Sequence, residues 1–227
     1  YLYNFIMHFF PEYIEPLFRP PSEADSLIFQ VTNGCSWNRC AFCEMYTAPQ
    51  KKFSTRKEAD LFAEIEQAAE AMSRVRRIFL ADGDAMVLST RRLLAILEKI
   101  NQHFPHINRV SSYCLPRNVA NKSLGELQEL NEAGLGLAYI GAESGDDELL
   151  QLIDKGETFT STVDALQKLQ QAGIKTSVMI LNGLGFSGRA LYLMPEYMEN
   201  KPVQLLTGEE LEASDFNDDT LGRALDE

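Results

Sequence analysis

Three cysteines stand within nine residues, Cys35-Ser36-Trp37-Asn38-Arg39-Cys40-Ala41-Phe42-Cys43, and three thiolates on one short loop can grip a metal centre. They follow an apolar run, Leu27-Ile28-Phe29-Gln30-Val31, that reads as a buried strand. A closed structural zinc site normally takes four protein ligands. An iron–sulfur cubane held by three cysteines leaves one iron open to a ligand that is not protein, and that asymmetry points to an enzyme. The alternative is a zinc knuckle, whose fourth ligand would have to be Cys114, His103 or His106, each at least sixty residues downstream. There is no second pair of cysteines of the kind zinc ribbons use. A disulfide framework suits a small secreted domain, not a chain of 227 residues with four cysteines. Cys114 itself sits in an apolar strand pattern and reads as a buried core thiol.

The elements that must position this loop alternate between strand-like and helix-like patterns. Leu61, Phe62, Ile65, Ala68, Ala69 and Met72 mark a helix face, with Thr55-Arg56-Lys57-Glu58 as a capping box before it. Arg77–Ala81 reads as a short buried strand, and Leu93, Leu94, Leu97, Ile100 and Phe104 as the next helical stripe. A strand is expected near Ile107–Leu115, then a helix opened by the capping box Ser123-Leu124-Gly125-Glu126. Further strands are expected at Gly136–Gly141 and Lys175–Ile180, with a helix carrying Val163, Leu166 and Leu169 between them. Two segments 39 residues apart, Leu130-Asn131-Glu132-Ala133-Gly134-Leu135 and Leu169-Gln170-Gln171-Ala172-Gly173-Ile174, each end a helix on a glycine suited to the left-handed C′ position. A repeating helix–Gly–strand unit is what a parallel βα barrel requires, with its chemistry in the loops after the strands.

Those loops carry polar signals, and together with the cysteine loop they carry a resemblance. Thr32-Asn33-Gly34-Cys35, then Cys40-Ala41-Phe42-Cys43-Glu44-Met45-Tyr46, resembles the cluster loop of the radical S-adenosylmethionine (SAM) superfamily, with an aromatic residue, Phe42, just before the last cysteine. The first spacer here has four residues where the superfamily usually has three. The resemblance implies an α/β fold: a partial TIM-like barrel of about five to six βα units, here C-terminally shortened. It also implies a 4Fe-4S cluster on Cys35, Cys40 and Cys43, with SAM bound at the open iron. Gly83-Asp84, after the second strand, would meet the SAM amino group by similarity; an Asp-Gly turn is the plain alternative. Ile140-Gly141-Ala142-Glu143-Ser144-Gly145, with Asp154-Lys155-Gly156 downstream, resembles the loop whose carboxylate takes the ribose hydroxyls. That assigns Glu143 and a supporting Ser144, although Ser144 or Asp146 could instead cap the next helix. Gly183, within Leu181-Asn182-Gly183-Leu184-Gly185, resembles the element that backs the adenine. Arg117 follows the third strand and faces the same mouth, as partner to the SAM carboxylate or to a substrate anion, or as a surface turn residue. Lys155 is a second candidate for that job, and Trp37 one for covering the cluster.

The activity so implied is reductive cleavage of SAM to a 5′-deoxyadenosyl radical that abstracts hydrogen from a substrate, with a one-electron donor such as flavodoxin or ferredoxin. No residue identifies the substrate, expected to be a small or otherwise unknown molecule, and no side chain stands out as catalytic. The alternatives from other classes are a truncated, non-catalytic cluster-binding paralogue or sensor, and a zinc-binding interaction module.

Composition agrees with a packed cytoplasmic domain: 45% hydrophobic and 24% charged residues. No run is long enough for a membrane span, and Tyr1–Phe10 lacks the flanks of a secretory signal. The first residue is not methionine, so either residues are expected to be missing there or the start is poorly defined. Net charge is −12, and residues 196–227 hold ten acids against two bases, so this tail reads as a solvated acidic surface. Without a basic stripe, nucleic-acid binding is not expected. The expected organisation is an N-terminal extension over 1–25, a barrel core over 26–185 and an acidic segment over 186–227. That last segment has room for one more strand, near Ala190–Met194, so a βα piece is expected to be missing or shortened.

Overall fold

The computed structural model describes residues 13–72, 74–180, 199 and 212–216. The chain divides into two compact units, Tyr1–Met179 and Ile180–Glu227. In the second, a short 3-10 helix at Ala213–Phe216 is described. Gly183 and the strand expected near Ala190–Met194 lie outside the described residues.

The first unit is built on one five-stranded sheet. Strand β1 (Leu27–Gln30) leads into a two-residue β2 (Thr32–Asn33), which pairs antiparallel with β3 (Ser54–Thr55). Helix α1 (Glu58–Ala71), strand β4 (Arg77–Ala81), helix α2 (Thr90–His103) and strand β5 (Arg109–Cys114) follow. Then come the short α3 (Pro116–Ala120), α4 (Leu124–Glu132), β6 (Leu135–Glu143), α5 (Asp147–Leu152), α6 (Phe159–Gln171) and β7 (Lys175–Ile180). The strand order is β1-β4-β5-β6-β7, and the β1–β4, β4–β5 and β5–β6 ladders are parallel. This is the expected α/β, partial-barrel arrangement.

Alternation along the strands sorts side chains to two faces. Phe29, Ile78, Leu80, Val110 and Ala138 join Leu61, Ile65, Leu93, Leu97 and Leu130 of the helices in one continuous core. The intervening residues Ile28, Phe79, Ala81, Tyr113 and Tyr139 form a smaller cluster on the other face, against Tyr13 and Leu17 of the N-terminal segment. A parallel sheet covered on its outer face by helices needs strands apolar on both faces, which is why β1 and β4 read as continuous apolar runs.

Helix ends mostly follow the local signals. Ser123 and Glu126 form a reciprocal capping box at α4. Gly134 (φ +107°) and Gly173 (φ +81°) are left-handed just past α4 and α6, so the two 39-residue-spaced segments end their helices as the spacing predicts. Thr55 does not cap α1. That helix starts from Lys57 without a side-chain cap, because Thr55 is instead paired with Thr32 in the β2–β3 ribbon. Leu115-Pro116-Arg117-Asn118, expected as a loop, opens α3, with proline at the first helical position where its missing N–H costs nothing. No helix among the described residues is long and apolar enough to cross a membrane.

Candidate cofactor site

The cysteine loop runs from β2 towards β3 and is pinned by backbone and side-chain bonds. Cys43 N–H donates to Cys40 O at 3.1 Å, and Ala41 N–H reaches across to Ile153 O at 2.8 Å. Trp37 Nε1 donates to Asp154 O at 2.7 Å, and Asn38 Nδ2 to Tyr46 O at 2.9 Å. Cys35, Cys40 and Cys43 are all free thiols, half-buried, and all three line one cavity of about 260 Å3. Among the described residues no three His, Cys, Asp or Glu side chains close around the position of a single metal ion; the three thiols share a cavity wall. Burial pushes the Cys35 thiol up, and it pushes Cys40 up to about 11, against the pull of the Lys155 ammonium. Metal binding must therefore displace protons here.

The same cavity receives Phe42, Gly83, Gly141, Glu143 and Lys155. Lys155 Nζ donates to Glu143 Oε1 at 2.8 Å, with both side chains largely buried. A Cβ on Gly141 would stand 2.3 Å from that Oε1 and 2.8 Å from Nζ, so a side chain there would displace the ends of the pair. Glu143 has φ +64°, a conformation that costs about 1–3 kcal/mol for an ordinary residue and tends to be kept at binding sites. Gly83 faces Tyr46, whose ring would be 2.5 Å from a Cβ placed there.

Asp84 lies one residue behind that wall and is fully buried. Its carboxyl accepts from the Ser36 hydroxyl and from Asn118 Nδ2. Burial raises it to about 6, opposed by those two hydrogen bonds and by Arg117 and Lys122. The turn that follows β4 is thus bonded directly to the residue after Cys35.

Arg117 and Ser144 are not part of the cavity wall. Arg117 Nε donates to Glu157 Oε1 at 2.6 Å and Nη2 to Gly156 O at 2.5 Å, and its guanidinium sits 4.2 Å from the Trp37 ring centre. Its donors are turned to the protein, which leaves Lys155 as the cation that lines the cavity. Ser144 Oγ accepts from Asp146 N–H at 3.0 Å, and Asp146 in turn caps α5. Of the zinc-ligand candidates, His103 and His106 precede β5 and so lie at the opposite end of the strand from Cys114. Cys114 is buried as expected, and it also lines the cavity.

Tyr113 and Tyr139 belong to no motif in the sequence, yet both line the cavity. They are register partners on β5 and β6, with ring centres 6.1 Å apart, and both contact Phe79. Their positions on the inner face of adjacent strands were the available signal. Met179 of β7 completes this apolar side.

Trp37 is the hinge pin between the cysteine loop and the segment after α5. Gly156 has φ +70°, and a Cβ on it would lie 2.3 Å from the indole. Gly156→Ala is therefore expected to destabilise the chain by about 2 kcal/mol, from left-handed strain plus overpacking. Thermal unfolding should show the lower melting temperature, and a shifted Trp37 emission maximum should show the displaced ring.

Comparison with known proteins bears on the fold. The cobalamin-dependent SAM radical enzyme OxsB, with aqua-cobalamin and SAM bound, superposes at a TM-score of 0.59, with 18% identity over 88% of this chain and 30% of its own. Coproporphyrinogen III oxidase (HemN) from Escherichia coli, a radical SAM enzyme, matches at 0.51, with 18% identity over 76% of this chain and 39% of its own. The fold is that of the radical SAM enzymes. The radical SAM methyltransferase TsrM from Kitasatospora setae, with cobalamin and a 4Fe-4S cluster bound, matches at 0.52, with 22% identity over 68% of this chain and 30% of its own. This chain therefore spans about a third of the length of these radical SAM proteins. Residues 144–227 match a family model described as a domain of unknown function (DUF4277). No curated protein matches the sequence.

Proposed function

We propose that this chain is the cofactor-binding core of a radical SAM enzyme, with residues 26–185 as its barrel. The observation that carries the reading is the convergence of three loop cysteines on one cavity with Gly83 and the Glu143–Lys155 pair. Cys35, Cys40 and Cys43 would hold a 4Fe-4S cluster, and the residues present fit one: three free thiols on the wall of one cavity, with no fourth protein ligand required. When bound and reduced, the cluster supplies one-electron cleavage of SAM to methionine and a 5′-deoxyadenosyl radical.

The chain's own groups bind and orient. Glu143 keeps one oxygen on Lys155 and has further acceptor capacity for ribose hydroxyls. Lys155 offers its ammonium to the SAM carboxylate, a role that Arg117 leaves to it. Gly83, through its backbone, is assigned to the SAM amino group, and Asp84, buried behind it, supports that turn through its bonds to Ser36 and Asn118. Phe42 and Trp37 shield the cluster, and Tyr113, Tyr139 and Met179 give an apolar floor that excludes water. The substrate is a molecule small enough for this cavity, the electron comes from a flavodoxin- or ferredoxin-like donor, and the setting is the reducing cytoplasm.

Anaerobic reconstitution with iron and sulfide tests the reading. About four irons with matching sulfide per chain are expected; one zinc without sulfide would overturn it in favour of an interaction module. Trp37 is the chain's single tryptophan and lines the cavity, so its emission should fall several-fold as the cluster forms. Unchanged emission at full iron content would place the cluster elsewhere.

A further inference from the structure

Asp82 stands between β4 and the Gly83-Asp84 turn, and neither its side chain nor that of its partner Lys51 has any exposed surface. Three donors converge on Oδ2: Lys51 Nζ at 2.5 Å, Gln30 Nε2 at 3.0 Å and the Gly34 backbone N–H at 3.0 Å. The other oxygen, Oδ1, is buried without a partner among the described residues, so this carboxylate's side-chain bonding is concentrated on one point.

That point is the neck of the cysteine loop. Gly34 immediately precedes Cys35, and Lys51 is where the chain returns towards β3. The two strands of the neck run so close that a Cβ on Gly34, itself at φ +71°, would lie 2.1 Å from the Lys51 carbonyl oxygen. Asn33 Nδ2 closes the neck from its other side, donating to Gln50 O at 2.7 Å and Lys52 O at 3.0 Å. Lys51 Nζ also donates to Ile14 O at 2.6 Å, and Asp82 N–H donates to Thr32 Oγ1 at 3.1 Å. Apolar residues of similar volume commonly stabilise a core as well as a buried ion pair does. What the pair adds is a fixed geometry between segments distant in sequence.

We infer that the Asp82–Lys51 pair is a positioning device: it closes the neck of the cysteine loop and ties it to the Gly83-Asp84 turn, holding the cluster ligands and the SAM-binding turn in one register. The inference rests on the cluster reading above. It makes Asp82 and Lys51 positioning residues that act through the loop without touching the cofactors.

The test compares the anaerobically reconstituted wild-type chain with Asp82→Asn and with the double variant Asp82→Asn/Lys51→Met. The double variant removes both charges and leaves no unpaired buried ion, so it decides the matter should the single variant fail to fold. Partners that orient metal ligands typically change metal affinity about 10–100-fold. Iron loss to a chelator is therefore expected to be about tenfold faster, with a weakened SAM-induced shift in the electron paramagnetic resonance of the reduced cluster. Wild-type iron retention together with an undiminished SAM shift would overturn the inference, even if the melting temperature fell. A wild-type chain that takes up no iron and sulfide would overturn the cluster reading itself, and this inference with it.

Discussion

Cys40→Ala is expected to eliminate 5′-deoxyadenosine formation when the reconstituted protein is incubated anaerobically with SAM and dithionite. Cys40 sits in the middle of the triad and lines the cavity with Cys35 and Cys43. Two thiolates cannot hold a cubane in a fixed orientation, so both iron content and product should fall to background. Mass spectrometry of the nucleoside product checks the reaction, and iron and sulfide analysis checks the cluster. Full iron content in Cys40→Ala would remove Cys40 from the ligand set. A wild-type protein that holds its cluster but forms no product would favour the non-catalytic cluster-binding alternative. The companion variant Cys114→Ala should keep cluster and product, since its thiol is buried and donates to Leu115 O.

Asp84→Asn is expected to weaken SAM binding without weakening the fold. Asp84 is fully buried, and its carboxyl is raised to about 6 chiefly by burial, against about 3.9 for an unfolded aspartate. The folded chain therefore holds this proton more tightly than the unfolded chain does. The resulting stability is present below about pH 4 and is lost as pH rises through about 6, by about 2–3 kcal/mol at most. Asparagine carries no such burden: it can accept from Asn118 and donate to the Ser36 hydroxyl. Denaturant unfolding of the apo protein at pH 8 should show Asp84→Asn at least as stable as wild type, and the advantage should vanish by pH 4. Neutralising the buried carboxylate that bonds the Gly83 turn to Ser36 and Asn118 should loosen that turn and weaken SAM binding roughly ten- to a hundredfold, measured by calorimetry on the cluster-loaded protein. A stability loss at pH 8 with unchanged SAM affinity would reassign Asp84 to a purely structural role. A residue kept ionised in a buried place at a cost to the fold is the pattern expected where function sets the choice.

Much of this protein is written in short-range pattern. The 3.6-residue stripes of α1 and α2, the apolar runs of β1 and β4, the Ser123–Glu126 box and the glycines at 134 and 173 each depend on neighbours within one or two turns. Local propensity and burial therefore determine them before the chain folds. The cysteine triad that shares the cavity is legible for the same reason: its spacing lies within nine residues. Thr55 shows where such reading fails. Its capping signal is real, but a long-range ladder with Thr32 outcompetes it. Only the tertiary structure could bring Glu157 to Arg117 across 40 residues and so turn that guanidinium from the cavity to the protein. It also set Tyr113 against Tyr139 as the cavity floor and joined Lys51 to Asp82 beneath the cysteine loop. The chemistry of the site was carried by residue types and local spacing. Which cation lines the cavity, and which side chains bond the cysteine loop to the turn after β4, was decided by the residues that the parallel strand order brings together.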